Sequence, residues 1–189
     1  EIVFDGLQRD IESLGIGVIQ PTNHGNYTEL INLLGRENEQ SFETANNIVM
    51  SALRVLGQNR QYLGSNRIRD YKSINEKSLR SYITNLLGLG IIPIIENEKT
   101  SIDKYFYALS NDLARRKLVN TPSILDLNLD PKIGSLGIKI IGNNDRVWAC
   151  SNCSMPHYSR NTGICTNAKC LRSNKQSLLH PVNDIHSTT

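Results

Sequence analysis

The sequence lacks the short motifs by which many enzymes are recognised. Its 189 residues contain no G-x-x-x-x-G-K-[ST] loop, no G-x-G-x-x-G, no G-x-S-x-G and no H-E-x-x-H. Such motifs build phosphate cradles, an exposed serine nucleophile and a helical zinc site. We therefore predict that the chain by itself is not an enzyme, although a larger protein that contains it could be one.

One weak trace of a metal-dependent nuclease is present. Asp130-Pro131-Lys132 has Asp112 and Asp126 upstream, and such enzymes need carboxylates for magnesium and a lysine near the attacking water. The triplet falls in a predicted loop with a proline inside it, so a nuclease is the weakest of three functional hypotheses.

Long apolar runs are also lacking, and aromatic residues are few, at 6 %. No run approaches the roughly 20 apolar residues that cross a bilayer, and no targeting segment is recognisable. We therefore expect no membrane contact and a cytoplasmic location. Because the first residue is Glu1 and not Met, we expect the chain to be a fragment of a larger protein or a processed chain.

Charge is unevenly distributed, although the net charge is only +3. Bases concentrate in residues 54–80 and 146–176, and the second block contains no acid. Two positive blocks in a nearly neutral chain favour contact with an anion such as a phosphate backbone; the alternative is two solvated faces without a partner. The predicted nucleic-acid contacts are Arg54, Arg60, Arg67, Arg69, Lys72, Arg146, Arg160, Lys169, Arg172 and Lys175.

All four cysteines lie between residues 150 and 170, in the run CSNCSMPHYSRNTGICTNAKC. Cys150 and Cys153 are spaced C-x2-C, and Cys165 and Cys170 are spaced C-x4-C. Two such turns facing each other form the tetrahedral sulfur cage that zinc prefers, and a closed cage is structural because no position is left for water. The alternatives are two disulfides, free thiols, or His157 in place of one cysteine.

Hydrophobic periodicity predicts a mainly α (α+β) fold. Helices are expected over residues 2–14, 27–34 and 43–56, from Ser73 or Asn75 onward, and from Ser101 to about Val119. Strands are expected over 17–20, 91–95, 137–141 and 147–148, with Pro93 confining the second to a sheet edge. The predicted organisation is a helical domain (1–142), a zinc ribbon (143–176) and a loose tail (177–189), with a winged-helix arrangement as an alternative for the helical domain.

The segment VWACSNCSMPHYSRNTGICTNAKC resembles a cysteine-rich element of large superfamily-two DEAD/DEAH-box helicases, nearest to those of bacterial phage-defence (DISARM-type) systems. Trp148 before the first cysteine pair and His157 after it match that element, as does the run from Gly163 to Asn167. About 25 residues carry the resemblance, and the C-x4-C spacing is longer than the usual turn. The resemblance implies an accessory segment of an ATP-driven DNA translocase whose ATP-binding motor motifs lie elsewhere.

Two hypotheses of different class follow. The first is a nucleic-acid-binding accessory region, with DNA as the expected partner, in which the basic residues contact phosphates; Tyr62, Tyr71, Trp148 and Tyr158 could then stack on bases of a single strand. For Trp148, packing against the sulfur cage is the favoured alternative. The second is a docking module for other parts of the parent protein or for another subunit, which an exposed apolar patch would indicate.

Overall fold

The structure is a computed structural model, and it describes residues 17–22, 25–35, 38–58, 72–120, 128–129, 135–142, 144–173 and 177–182. Five helices lie in these ranges: α1 (Thr28–Leu34), α2 (Glu39–Gln58), α3 (Lys72–Gly88), α4 (Glu98–Arg115) and α5 (Ala168–Leu171). Small antiparallel sheets accompany them, so the α+β class is confirmed. The helix predicted over residues 2–14 lies outside the described residues. None of the described helices is long and apolar enough to cross a membrane.

Seven short strands form three antiparallel sheets in the same ranges. They are β1 (Gly17–Pro21), β2 (Val119–Asn120), β3 (Asn128–Leu129), β4 (Leu136–Ile140), β5 (Trp148–Cys150), β6 (Pro156–His157) and β7 (Leu179–Pro181). β1 pairs with β4 in the register Gly17↔Ile140, β2 pairs with β3, and β5 lies between β6 and β7. The predicted winged-helix arrangement stays a prediction.

The helices form one core because their apolar residues recur at helical spacing. On α2 the predicted face is buried, including Ala45, Ile48, Val49 and Ala52, and it packs with α1 and α3. α1 is short and its preceding residue, Tyr27, offers no side-chain cap. Asp112 of α4, which is distant in the sequence, caps this helix instead. Its carboxylate accepts hydrogen bonds from the backbone N–H of Leu30 at 2.9 Å and of Glu29 at 3.4 Å.

The strand predicted over residues 91–95 is wrong, because the helix before it ends in a motif that turns the chain. Gly90 has a φ of +65°, its N–H donates to the carbonyl of Leu87, and the N–H of Ile91 donates to that of Leu86. This pair of bonds is the Schellman arrangement at a helix C-terminus. The N–H of Ile95 then donates to the hydroxyl of Ser101, so its backbone donor is used without a sheet.

The last described segment corrects the predicted loose tail. Leu179–Pro181 forms β7 and pairs with β5 in the register Cys150↔Leu179. Residues 177–182 therefore belong with the cysteine-bearing sheet. We call residues 144–173 and 177–182 together the cysteine module.

The cysteine module shares its core with the helices. Ile164 and Leu171 are members of the main buried cluster formed by the helices, while Cys150, Cys165, Cys170 and Leu179 form a second, smaller cluster. The predicted helical domain and cysteine-bearing domain are thus in contact through apolar packing, and α5 lies against α3.

Candidate metal centre

The four cysteine sulfurs converge on one point. Their Sγ atoms all lie within 4.8 Å of one another, and two pairs, Cys150–Cys170 and Cys153–Cys165, are 3.8 Å apart. A disulfide has an S–S length of about 2.05 Å, and all four cysteines are free thiols. The predicted alternative of two disulfides is therefore not the state of this structure, and the four sulfurs are positioned to hold a metal ion.

The first pair of ligands is held by a tight turn at the end of β5. Cys150 is the last residue of the strand, the N–H of Ser154 donates to its carbonyl, and the N–H of Asn152 donates to its sulfur at 3.3 Å. Ser154 has a φ of +56°, which an L residue adopts only at some cost. This reversal returns Cys153 toward Cys150, so that both sulfurs point to the same side.

The second pair is separated by one turn of helix, which explains the longer C-x4-C spacing. Asn167 is the N-cap of α5, and its side-chain oxygen accepts the N–H of Lys169 at 2.9 Å. Cys165 precedes the cap and is held by the segment before β7, because its N–H donates to the carbonyl of Ser177. α5 then carries Cys170 back to the sulfur of Cys150.

The four sulfurs lie so close together that their thiolate charges would repel one another. Burial raises the pKa of Cys150, but the backbone N–H groups of Asn152 and Cys153 donate to its sulfur and hold the pKa below its ordinary value. Burial raises the pKa of Cys165, and the negative charge of Cys150 raises it further. Thiolates repel one another in this way unless a metal ion lies between them, so metal binding would release protons.

His157 is not one of the grouped ligands. The group of potential ligands consists of the four cysteines alone among the described residues. The imidazole of His157 is fully buried, and neither ring nitrogen has a hydrogen-bond partner among those residues. Burial, together with the positive charge of Arg54, lowers the pKa of His157 to about 3. The ring is therefore neutral at physiological pH.

Trp148 occupies the packing role that was the favoured alternative to base stacking. Its ring packs against the buried cysteine cluster, and the guanidinium of Arg160 lies over it, 5.3 Å from the ring centroid. A nucleic-acid base could reach this face of the indole only after Arg160 moved aside.

The structure separates the predicted phosphate contacts into three groups. Arg146, Arg160, Lys169 and Arg172 are exposed on the cysteine module. Arg54 is buried, and its Nη1 donates to the carbonyl of Ser159 at 3.3 Å, so its expected surface role is not supported. Lys72 is the first residue of α3, but its side chain lies outside the described residues, as do Arg60, Arg67, Arg69 and Lys175.

The residues that dock the cysteine module on the helices were missed from the sequence. The Thr162 hydroxyl lies 3.2 Å from Ser51 Oγ and 3.0 Å from the Tyr82 hydroxyl, and Asn85 Nδ2 donates to the carbonyl of Leu171 at 3.2 Å. These partners are about 80 to 110 positions apart in the sequence, so no local pattern links them. Asn167 had a local signal, since asparagine is a preferred N-cap.

Asp112, the first residue of the nuclease-like pattern, has a structural role. The carboxylate of Asp112 is buried and accepts the hydrogen bonds that begin α1. Asp126, Asp130 and Lys132 lie outside the described residues, so the nuclease remains the weakest hypothesis.

The fold and the site define an α+β protein with a cluster of four cysteines positioned to hold a metal ion. No family model, curated protein or solved structure matches the chain. The resemblance to a helicase element therefore stays a prediction.

Proposed function

We propose that this chain is a zinc-stabilised, nucleic-acid-binding accessory part of a larger ATP-dependent DNA helicase or translocase. The observation that carries the proposal is a set of four exposed bases on the cysteine module. Arg146, Arg160, Lys169 and Arg172 are exposed there, and none of them forms an ion pair with an acid of the described residues. Arg160 lies over the Trp148 ring and Arg172 Nε donates to the carbonyl of Ala168, but neither contact neutralises the positive charge, so all four bases can contact phosphates.

Zinc is the metal that the ligand set favours. With Zn–S distances of about 2.3 Å, the edges of a regular tetrahedron of sulfurs measure about 3.8 Å, which is the separation of Cys150 from Cys170 and of Cys153 from Cys165. When bound, zinc would neutralise the thiolates and fix the two turns. Three of the four cysteines are buried, so the centre would hold structure and would have no open position for catalysis.

The negative charge of the metal-loaded centre would balance only part of the positive charge of the surrounding bases. A zinc ion with four thiolates carries a net charge of −2, and the five bases of residues 146–176 exceed it by three. If two of these bases balance the charge of the centre, three positive charges remain to bind an external anion. Lys169 lies on α5 and Arg172 is its C-cap, three positions later. Residues three apart on a helix are neighbours on its surface, so these two bases could contact the same phosphate backbone.

The binding experiment is a salt titration of labelled DNA. Fluorescence anisotropy with the zinc-loaded chain measures Kd for duplex and single-stranded DNA at several salt concentrations. Four phosphate contacts on duplex DNA predict a log Kobs against log [salt] slope of about −3.6. The double variant Arg146→Glu and Lys169→Glu should reduce both affinity and slope, because these side chains are exposed and form no hydrogen bond or ion pair with the described residues.

The matched control changes the same charge outside the cysteine module. Lys99→Glu and Lys117→Glu, which are exposed on and just after α4 and lie outside both basic blocks, should leave the salt slope nearly unchanged. Equal losses in both double variants would indicate a general effect of net charge and would contradict a site on the cysteine module. Absence of binding at low salt by the folded, zinc-loaded chain would overturn the nucleic-acid proposal.

The helicase part of the proposal rests on the resemblance of residues 147–170. It is tested in the parent protein, where Lys169→Glu with Arg146→Glu should reduce DNA-stimulated ATP hydrolysis and leave the basal hydrolysis rate intact. Unchanged stimulation would separate this chain from the motor. A role in phage defence predicts that the same variant lowers protection of cells against infection.

Docking to another protein is the second candidate, and one observation favours it. Ile138 and Ile140 of β4 are 37 % and 68 % exposed, and they lie on one face of the strand because alternate residues of a strand share a face. Ile138→Ser with Ile140→Ser should weaken assembly with the parent protein and leave DNA affinity unchanged if this candidate is right.

A further inference from the structure

One of the four sulfurs is open to solvent. Cys153 is exposed, whereas Cys150, Cys165 and Cys170 are at most 3 % exposed. Oxidants react with cysteine according to thiolate character and access. A metal-bound thiolate keeps its anionic character, so access decides which sulfur of the loaded cluster reacts first.

The exposed sulfur has a buried partner close by. Cys165 Sγ is 3.8 Å from Cys153 Sγ, and the remaining two sulfurs, of Cys150 and Cys170, are also 3.8 Å apart. Each of these pairs joins the C-x2-C turn to the C-x4-C turn. A disulfide between Cys153 and Cys165 therefore links residues that the fold has already placed together, with 11 residues between them in the sequence.

We propose that the cluster is a redox switch: hydrogen peroxide oxidises Cys153 first, a disulfide with Cys165 then forms, and the metal is released. The Cys153 thiolate attacks one peroxide oxygen, the O–O bond breaks, and hydroxide leaves and takes up a proton. The Cys165 thiolate then attacks the sulfenic sulfur of Cys153, the S–S bond forms, and a second hydroxide leaves and is protonated. Two sulfurs lose two electrons in total, the peroxide becomes two waters, and the metal loses two ligands.

The switch is reversible. Thr162 lies in the loop between the two oxidised cysteines, and its hydroxyl contacts Ser51 and Tyr82. Loss of the metal instead frees Cys170, and with it α5, from the end of β5. A dithiol reductant returns two electrons to the disulfide and restores the ligands.

The test uses the zinc-loaded full chain, with zinc content measured before oxidant is added. A chromogenic chelator follows zinc release during hydrogen peroxide treatment, and differential alkylation with peptide mass spectrometry maps the cysteines. The expected result is zinc release in step with loss of two thiols, a first disulfide between Cys153 and Cys165, and recovery with dithiothreitol. Fluorescence of Trp148, the only tryptophan, should change with zinc release because its ring packs on the cluster.

Two variants form a matched pair. Cys153→Ser removes the exposed sulfur and should slow zinc release by peroxide several-fold, whereas Cys170→Ser removes a buried sulfur and keeps the reactive pair. Equal rates in the two variants, or a first disulfide between Cys150 and Cys170, would overturn the proposal. If neither variant folds, the disulfide map of the unchanged chain decides alone, and retention of zinc with all thiols intact under peroxide excess also refutes it.

This inference requires a bound metal but does not require nucleic acid. A chain that binds zinc and fails to bind DNA still tests it in full. A chain that binds DNA but keeps its zinc under peroxide contradicts the switch and leaves the nucleic-acid proposal standing.

Discussion

At the scale of single residues, Thr162 joins the cysteine module to two helices. Its hydroxyl is within hydrogen-bond distance of both Ser51 on α2 and Tyr82 on α3, and the Tyr82 side chain is fully buried. The Tyr82 hydroxyl also has a hydrogen bond with the Ser51 side chain, so it keeps a partner when Thr162 is changed, and a hydrogen bond of this kind contributes about 0.5–1.5 kcal/mol. We therefore expect Thr162→Val to lower the free energy of unfolding by about 1 kcal/mol, measured by urea denaturation.

A double-mutant cycle separates this bond from general packing. Tyr82→Phe removes the partner, so the combination of Thr162→Val with Tyr82→Phe should cost less than the sum of the single changes. Strict additivity would show that the two hydroxyls do not interact, contrary to the geometry.

The low pKa of His157 predicts that part of the free energy of unfolding is lost at acidic pH. Its folded pKa of about 3 lies below the ordinary value of 6.5, so the native state binds fewer protons than the unfolded chain between these values. Stability contributed by the neutral ring is therefore present above pH 6.5 and falls by about 1.4 kcal/mol for each pH unit below it, until the folded pKa is reached.

The variant His157→Leu isolates this component. Cysteine protonation and zinc loss also act at low pH, but they affect both proteins, so the difference between them reports the imidazole. We expect the free energy of unfolding to fall less between pH 7 and pH 5.5 in His157→Leu than in the unchanged protein, with zinc at saturation. The same decrease in both would rule out a titrating role for the buried ring.

At the scale of elements, helix ends decide where the sequence prediction succeeds. The predicted helices over 27–34 and 43–56 are close to α1 and α2, and the strand over 137–141 is close to β4, because each has a clear apolar period and a local stop signal. α4 was expected to reach Val119 but ends at Arg115, since Lys117 takes a left-handed φ of +54°. Nothing in the identity of a lysine indicates that conformation.

The position of Lys117 gives a stability prediction. Its N–H donates to the carbonyl of Ala114, and the N–H of Leu118 donates to that of Leu113, which is the Schellman motif with an L residue where glycine is usual. Lys117→Gly should raise the free energy of unfolding by about 1 kcal/mol, because the left-handed conformation costs an L residue about that much. Thermal denaturation measures the change.

A glycine inside a helix serves as the control. Lys77 is exposed within α3, and Lys77→Gly should lower the free energy of unfolding by about 1 kcal/mol, the usual penalty of glycine in a helix interior. A loss of stability in Lys117→Gly as large as that in Lys77→Gly would contradict the left-handed conformation at Lys117.

The site itself was predictable to the extent that it is local in sequence. Cys150, Cys153, Cys165 and Cys170 were identified from spacing alone, because two short turns can present two thiols each. The strand β7 and the docking contacts were not, since Leu179 and Thr162 find their partners across the fold. The burial of Arg54 was equally hidden, because a basic residue on a helix gives no local sign of which face it occupies.

At the scale of the whole molecule, the shared core couples the metal centre to the helices. Ile164 and Leu171 belong to the main buried cluster, and each lies one residue from a cysteine ligand. Structural zinc sites contribute free energy directly to folding. Removal of the metal should therefore destabilise the helices as well as the cysteine module.

Chelation tests this coupling. We expect a strong zinc chelator to lower the Tm of the helical circular dichroism signal, with the unfolding of helices and the change in Trp148 fluorescence occurring in one transition. A helical Tm that is unchanged by chelation, with Trp148 responding separately, would show that the two parts fold independently.

The most direct test of the central claim is the metal content of the purified chain, by elemental analysis together with a count of reactive thiols. We predict one zinc ion per chain and no disulfide. Replacement of zinc by cobalt should give the visible absorption of a tetrahedral thiolate site, and Cys165→Ser should abolish it. A folded chain that contains no metal and retains four reactive thiols would contradict the assignment of the cysteine cluster as a zinc centre.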